Sequence, residues 1–70
     1  MPTDQEKLRV LLPHWIEHNA EHAGEFRTWA ERGREAGMEI MEAAQYLELA
    51  NQALEKALET LGGPLEHPAH

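Results

Sequence analysis

Cysteine is absent from this chain of 70 residues. Without thiols the chain cannot form disulfides, thiolate zinc sites or iron–sulfur clusters, and it has no cysteine nucleophile. Aromatic residues are also few, at 6% of the sequence. A chain this short buries only about 60% of its unfolded surface, which leaves a single core marginally stable. We therefore expect self-association, or a metal held by histidines and carboxylates, to supplement the core.

Basic residues are scarce, since six lysines and arginines accompany thirteen aspartates and glutamates, for a net charge of −7. Such a surface repels phosphate backbones, so no nucleic-acid partner is expected. No apolar run approaches the roughly 20 residues that span a bilayer, and no signal peptide opens the sequence. These absences predict a soluble, cytoplasmic protein without direct membrane insertion.

The hydrophobic pattern predicts a first helix over about residues 4–32. Thr3 and Glu6 have the spacing of a capping box, which marks its beginning. Pro13 cannot donate to the carbonyl of Arg9, so the helix is expected to be kinked or split there. No other residue interrupts the helical pattern before residue 32.

Two glycines within residues 33–37 predict a turn, and an alanine- and leucine-rich pattern predicts a second helix over about 38–61. Residues 62–70 are expected to form a flexible tail. A short turn between two long helices predicts an all-α antiparallel helical hairpin over residues 1–61.

Two helices leave part of each surface uncovered, so hairpins are expected to dimerise into a four-helix bundle or form a higher homo-oligomer. Candidate interface side chains lie beside the main apolar stripes of the two helices. They are Ile16, Met38, Met41, Tyr46 and Leu49.

Three polar side chains, His18, Asn19 and His22, interrupt the apolar stripe of the first helix. On a helical wheel that stripe comprises Leu8, Leu11, Leu12, Trp15, Phe26, Trp29 and Ala30. Antiparallel pairing brings Asn51, an amide on the apolar face of the second helix, to the same level. An unpaired buried polar group costs about 1–3 kcal/mol. We therefore predict that the four side chains form one shared buried layer.

The spacing of His18 and His22 favours a metal site. Side chains four residues apart on a helix lie roughly 6 Å from each other, close enough for two imidazoles to bind one ion. Imidazole ligands with an occasional carboxylate suit zinc, nickel, cobalt, copper or iron, and the order of affinities alone does not choose among them. Further candidate donors are His14, Glu25 and Glu48, and candidate polar-layer groups are Asn19 and Asn51.

The same layer has a second interpretation that needs no metal. A satisfied network of buried polar groups sets register and oligomeric state, as a buried asparagine does in a coiled coil. Catalysis is not expected, because the Glu-x-x-His motif of di-iron bundles, the zincin pattern and a paired nucleophile and base are all missing. His67 and His70, in the tail, are interpreted as incidental.

The segment 15–23, with Phe26, Glu42-Ala43-Ala44 and 48–54, resembles a family of small bacterial and archaeal helical proteins. Its members often carry a His-Asn-x-x-His core and are loosely labelled as cobalt, nickel or zinc transport-associated. The similarity covers roughly residues 8–61 and is most specific at His18, Asn19, His22 and Asn51. It implies a metal-handling accessory role beside a metal-transport partner.

Two departures from that family argue against a high-capacity metal buffer. The sequence has no histidine-rich leader, and it carries Met41 and Gln45 where some relatives carry histidine. The sequence thus predicts a non-enzymatic accessory protein that holds one divalent transition metal, nickel, cobalt or zinc, at the His-Asn-x-x-His layer. The alternative is a structural or protein-interaction module whose buried His/Asn layer specifies oligomerisation.

Overall fold

The computed structural model describes residues 2–65. Helix α1 covers Asp4–Arg32, a short 3-10 turn covers Arg34–Ala36, and helix α2 covers Gly37–Thr60. The two helices pack against each other in antiparallel orientation, and the described part of the chain has no strand. The predicted all-α hairpin is confirmed. Neither helix contains a stretch long and apolar enough to cross a membrane.

Helix α1 begins with the predicted capping box. The backbone amide of Glu6 donates to the Thr3 hydroxyl at 3.1 Å, and the Glu6 carboxylate accepts from the Thr3 amide at 2.9 Å. This exchange satisfies two backbone donors that have no partner within the helix. Asp4 adds a negative charge at the positive end of the helix dipole.

Pro13 lies inside α1, and the helix continues through it as one element. Because proline has no amide hydrogen, the carbonyl of Arg9 loses the partner it would have four residues later. That carbonyl instead accepts a hydrogen bond from the backbone amide of Leu65, at 3.4 Å. The helix is therefore not split, and the carbonyl left free by proline bonds the segment that follows α2.

Helix α2 ends in a Schellman motif built on two glycines. Gly62 and Gly63 have φ values of 103° and 89°, a region that strongly favours glycine. The Gly63 amide donates to the carbonyl of Leu58 at 2.9 Å, and the Gly62 amide to that of Glu59 at 3.0 Å. The Arg9 guanidinium donates to the carbonyls of Gly63 and Gly62 at 2.6 and 3.2 Å. Arg9 thus holds the end of α2 through both its backbone and its side chain.

Residues 62–65 therefore lie against α1, whereas the sequence pattern predicted a flexible tail from residue 62. The rest of that predicted tail, including His67 and His70, lies outside the described residues.

The turn brings the two helix backbones very close together. A Cβ atom added to Gly37 would lie 2.5 Å from the carbonyl oxygen of Ala30. The left-handed backbone conformation falls on Arg34, with φ of 52°, and not on the C-cap Gly33, whose φ is −79°. The turn therefore requires glycine at residue 37 for space.

The contact between the helices is made mostly of small side chains. Its buried apolar residues are Leu12, Ala23, Ala30 and Ala44. Half-buried residues border them, namely Leu8, Ile16, Phe26, Ile40, Leu47, Leu54 and Leu58. Within residues 2–65, no large side chain is fully buried. A single hairpin therefore has a small core, as expected for its length.

Candidate functional site

Two amides form the polar centre of the helix contact. Asn51 of α2 is buried, with 8% exposure, and its Nδ2 donates to the carbonyl of Ile16 at 2.9 Å. Asn19 of α1 donates from its Nδ2 to the Oδ1 of Asn51 at 3.0 Å. Throughout the described range, every buried side-chain nitrogen and oxygen has a hydrogen-bond partner. Asn51 uses both ends of its amide, so it fixes the position of α2 along α1.

The histidines lie outside this polar centre. His18 and His22 are exposed, and the His22 side chain has 59% of its surface accessible to solvent. A buried layer that includes both imidazoles is therefore not present within one hairpin, and that prediction is wrong for a single chain. Each histidine directly precedes an inward-facing residue, Asn19 or Ala23, and one residue corresponds to about 100° around a helix. The imidazoles therefore lie on the side of the hairpin.

Large apolar side chains lie on the same side of α1 as the two histidines. Leu11, Trp15 and Trp29 also directly precede inward-facing residues, and they are 42%, 43% and 57% exposed. With His18 and His22 they form one column, because successive members are separated by three, four or seven residues. Among these five side chains, only the imidazoles are strongly polar.

Helix α2 contributes side chains to the same side of the hairpin. Ala43, Ala50 and Ala57 each precede an inward-facing residue and are separated by seven residues, and Tyr46 lies between the first two and is 61% exposed. In an antiparallel hairpin, positions that directly precede the inward residues lie on the same side of both helices. A shallow cleft on this side is lined by Phe26, Ala36, Glu39, Ile40 and Ala43. We name this side the seam face, comprising Leu11, Trp15, His18, His22, Trp29, Ala43, Tyr46, Ala50 and Ala57.

Polar side chains occupy the opposite side of the hairpin. A cleft there is lined by Ala20, Ala23, Gly24, Arg27, Glu48, Asn51, Gln52 and Glu55. The Arg27 guanidinium donates to Oε1 of Glu48 and to the sulfur of Met41, the latter at 3.1 Å. Glu48 is therefore paired with a cation on the side away from His18 and His22.

Of the other predicted donors, Glu25 contacts a histidine. Its Oε1 lies 3.0 Å from Nδ1 of His22. His14 is exposed; it lies one helical turn before His18 and lines a separate cleft with Pro64. No group of three or more side chains that could hold a metal ion is present among residues 2–65. One hairpin thus presents two neighbouring imidazoles and a carboxylate that contacts one of them.

Ala43, Ala50 and Ala57 were not among the interface residues predicted from the sequence. Their seven-residue spacing is a heptad period, typical of close helix packing, and it is the signal that identifies them. Of the predicted interface residues, Tyr46 lies on the seam face. Leu49 lies two residues before Asn51, so it points away from α1 and outside the seam face.

Residues 8–61 match a family described as Domain of unknown function (DUF8180). The chain belongs to this family. The DUF8180 match includes the amide pair and all nine residues of the seam face. No significant match was found among curated proteins or among solved structures.

Proposed function

We propose that this DUF8180 chain is a self-assembling helical module in which two hairpins pair through their seam faces. The observation that carries the proposal is the exposed apolar face to which both helices contribute. Monomeric proteins rarely expose contiguous patches of large apolar side chains, and such patches mark interaction sites. Pairing of two seam faces produces a four-helix bundle with a closed core.

The small core of the hairpin favours a second copy as the occupant. Three of its four buried apolar residues are alanines. Because a single hairpin buries so little apolar surface, its stability is marginal. A transient partner would leave the seam face uncovered between encounters. A second copy is present wherever the chain is made, and it brings an equal apolar surface.

Four of the five seam-face residues of α1 are placed symmetrically along the helix, and the exception is Trp15, whose counterpart is Glu25. Leu11 and Trp29 lie nine residues to either side of residue 20, and His18 and His22 lie two residues to either side. A two-fold axis perpendicular to the helix at this level pairs α1 with its copy in antiparallel orientation. Leu11 then faces Trp29 of the second copy, and His18 faces His22. A surface that matches itself in this way suits an isologous dimer.

The three alanines of the α2 part are centred on Ala50. Ala43 and Ala57 lie seven residues to either side of it, and small side chains at heptad spacing let two antiparallel helices approach closely. The hydrogen bond between Asn19 and Asn51 places this centre at nearly the same level as the centre of α1. One axis therefore relates both helices to their copies.

Sedimentation equilibrium of the chelator-treated chain tests the proposal. We expect a dimer at micromolar concentration for the natural sequence. Trp29→Glu, which places a charge in the seam face, should weaken dimerisation by about ten-fold or more. Leu49→Glu is a matched control, because Leu49 is equally exposed, 55% against 57%, and lies outside the seam face. It should leave the dimerisation constant unchanged.

A compensating variant tests the antiparallel pairing. Leu11→Lys combined with Trp29→Glu places opposite charges against each other across the proposed axis, so it should dimerise more tightly than Trp29→Glu alone. Far-UV circular dichroism verifies that each variant remains helical. A natural chain that stays monomeric, or equal weakening by Trp29→Glu and Leu49→Glu, would contradict the proposal.

A further inference from the structure

We infer that the seam dimer holds one divalent transition-metal ion on its two-fold axis, coordinated by His18 and His22 of both copies. The inference rests on the proposed dimerisation through the seam face, since one hairpin supplies only half of the ligands. Its evidence is the position of the imidazoles, the hydrogen bond to Glu25 and the placement of His18 and His22 at equal distances from residue 20.

The two imidazoles have the spacing of a chelating pair. His18 and His22 lie one helical turn apart on α1 and are both exposed, so their ring nitrogens are accessible to an ion. Side chains at this spacing are roughly 6 Å apart, which suits two ligands of one metal. Trp15 and Trp29 lie before and after them in the same column and would exclude water from the paired site.

The contact with Glu25 prepares His22 for ligation. When the Nδ1 of His22 carries the proton, it donates to Oε1 of Glu25 over 3.0 Å, and Nε2 keeps its lone pair. A carboxylate that accepts from the outer nitrogen of a metal-binding histidine fixes the tautomer and the ring orientation and strengthens the ligand. Glu25 is therefore a positioning residue for His22.

A second copy completes the ligand set. The axis that pairs Leu11 with Trp29 of the second copy passes between His18 and His22, so four imidazoles converge at the centre of the dimer. Four nitrogen ligands in tetrahedral arrangement suit zinc and cobalt. The negative net charge of each chain, −7, also favours a cation between the two copies.

The other donors considered from the sequence do not contribute to this site. Glu48 is paired with Arg27 on the opposite side of the hairpin. His14 lies one turn before His18, outside the seam face, and lines a cleft with Pro64. These positions make His14→Ala a suitable control, because it removes an exposed imidazole of the same helix without touching the proposed ligands.

Isothermal titration of the chelator-treated chain with zinc chloride tests the site, and cobalt(II) absorption reports its geometry. We expect one ion per two chains and the intense visible bands of tetrahedral cobalt(II). His18→Ala and His22→Ala should each lose about 100-fold or more in affinity, and His14→Ala should bind as the natural chain does. Glu25→Gln, which keeps both ligands, should weaken binding by about 10–100-fold.

The outcomes separate the metal site from the dimer. A chain that dimerises in chelator but takes up no zinc would overturn this inference and leave the proposed function standing. One ion per chain, or binding that survives loss of both His18 and His22, would also overturn it. A chain that is monomeric both with chelator and with zinc would overturn the two proposals together. Zinc that tightens dimerisation of the natural chain and not of His18→Ala supports the shared site.

Discussion

Two glycines in the helices differ in the space around them. Gly24 lies in the interior of α1, and a Cβ atom added there meets nothing within 4 Å. Gly37 is buried at the start of α2, and its added Cβ would lie 2.5 Å from the Ala30 carbonyl oxygen. Glycine costs a helix conformational entropy relative to alanine. The entropy is lost without compensation at Gly24, whereas at Gly37 it permits the close approach of the two helices.

Alanine substitution should therefore have opposite effects at the two positions. We expect Gly24→Ala to raise the free energy of unfolding by about 1 kcal/mol and Gly37→Ala to lower it by about 1–3 kcal/mol. Urea denaturation of both variants at one protein concentration measures the two changes. Stabilisation by Gly37→Ala would show that the helices separate at the turn without cost, contrary to the packing described.

The exposure of His18 and His22 could not be predicted from the sequence. The apolar pattern of α1 contains two stripes one residue apart, of which Leu12 belongs to the inner and Leu11 to the outer. A helical wheel merges them into one wide face, so His18 and His22 were assigned to the core. Asn19 was placed correctly, because it lies in the inner stripe with Asn51 opposite. The contact between the helices decides which stripe is buried, and sequence spacing alone does not.

At the scale of elements, Pro13 frees the Arg9 carbonyl for a residue distant in sequence. Leu65 donates to that carbonyl, and the Arg9 guanidinium binds Gly62 and Gly63. A proline inside a helix removes a hydrogen bond and costs about 3 kcal/mol relative to alanine. Here part of that cost is offset by the bond from Leu65.

Replacing this proline should strengthen α1 and release Leu65. Pro13→Ala restores an amide that competes for the Arg9 carbonyl, so we expect higher stability together with faster hydrogen exchange at the Leu65 amide. Exchange followed by NMR measures the second effect. Glu21→Ala, an exposed change in the same helix and outside the cleft next to Leu65, should leave that exchange rate unaltered. Unchanged exchange at Leu65 in Pro13→Ala would contradict the role given to the freed carbonyl.

Element boundaries were largely predictable because their causes are local. The Thr3 and Glu6 capping box and the Gly62-Gly63 stop depend on neighbouring residues, and α1 and α2 begin and end within one or two residues of the predicted positions. The bonds from Arg9 to the end of α2 were not foreseen, because they join residues more than fifty positions apart and have no sequence period.

At the scale of the whole molecule, the amide pair selects one arrangement of the helices. Asn19→Leu should lower the free energy of unfolding by about 1–3 kcal/mol, because the Oδ1 of Asn51 would be left buried without its donor. Asn19→Leu combined with Asn51→Leu should recover much of this loss, since both partners become apolar. Urea denaturation of the single and double variants gives the coupling between the two sites.

The recovered stability should come with a loss of specificity. A helix contact without the amides has no polar group to fix its register, so sedimentation velocity of the double variant should show more than one oligomeric species. If the two substitutions are additive and the double variant sediments as one species, the amides have no part in selecting the arrangement.

The bond between Arg9 and Leu65 joins residues that are synthesised at very different times. Arg9 leaves the ribosome early, and its carbonyl has no intrahelical partner while Pro13 follows it. Leu65 is translated only after the whole of α2. The Arg9 carbonyl therefore gains its partner only after both helices have been synthesised, from the last residue that the structure describes.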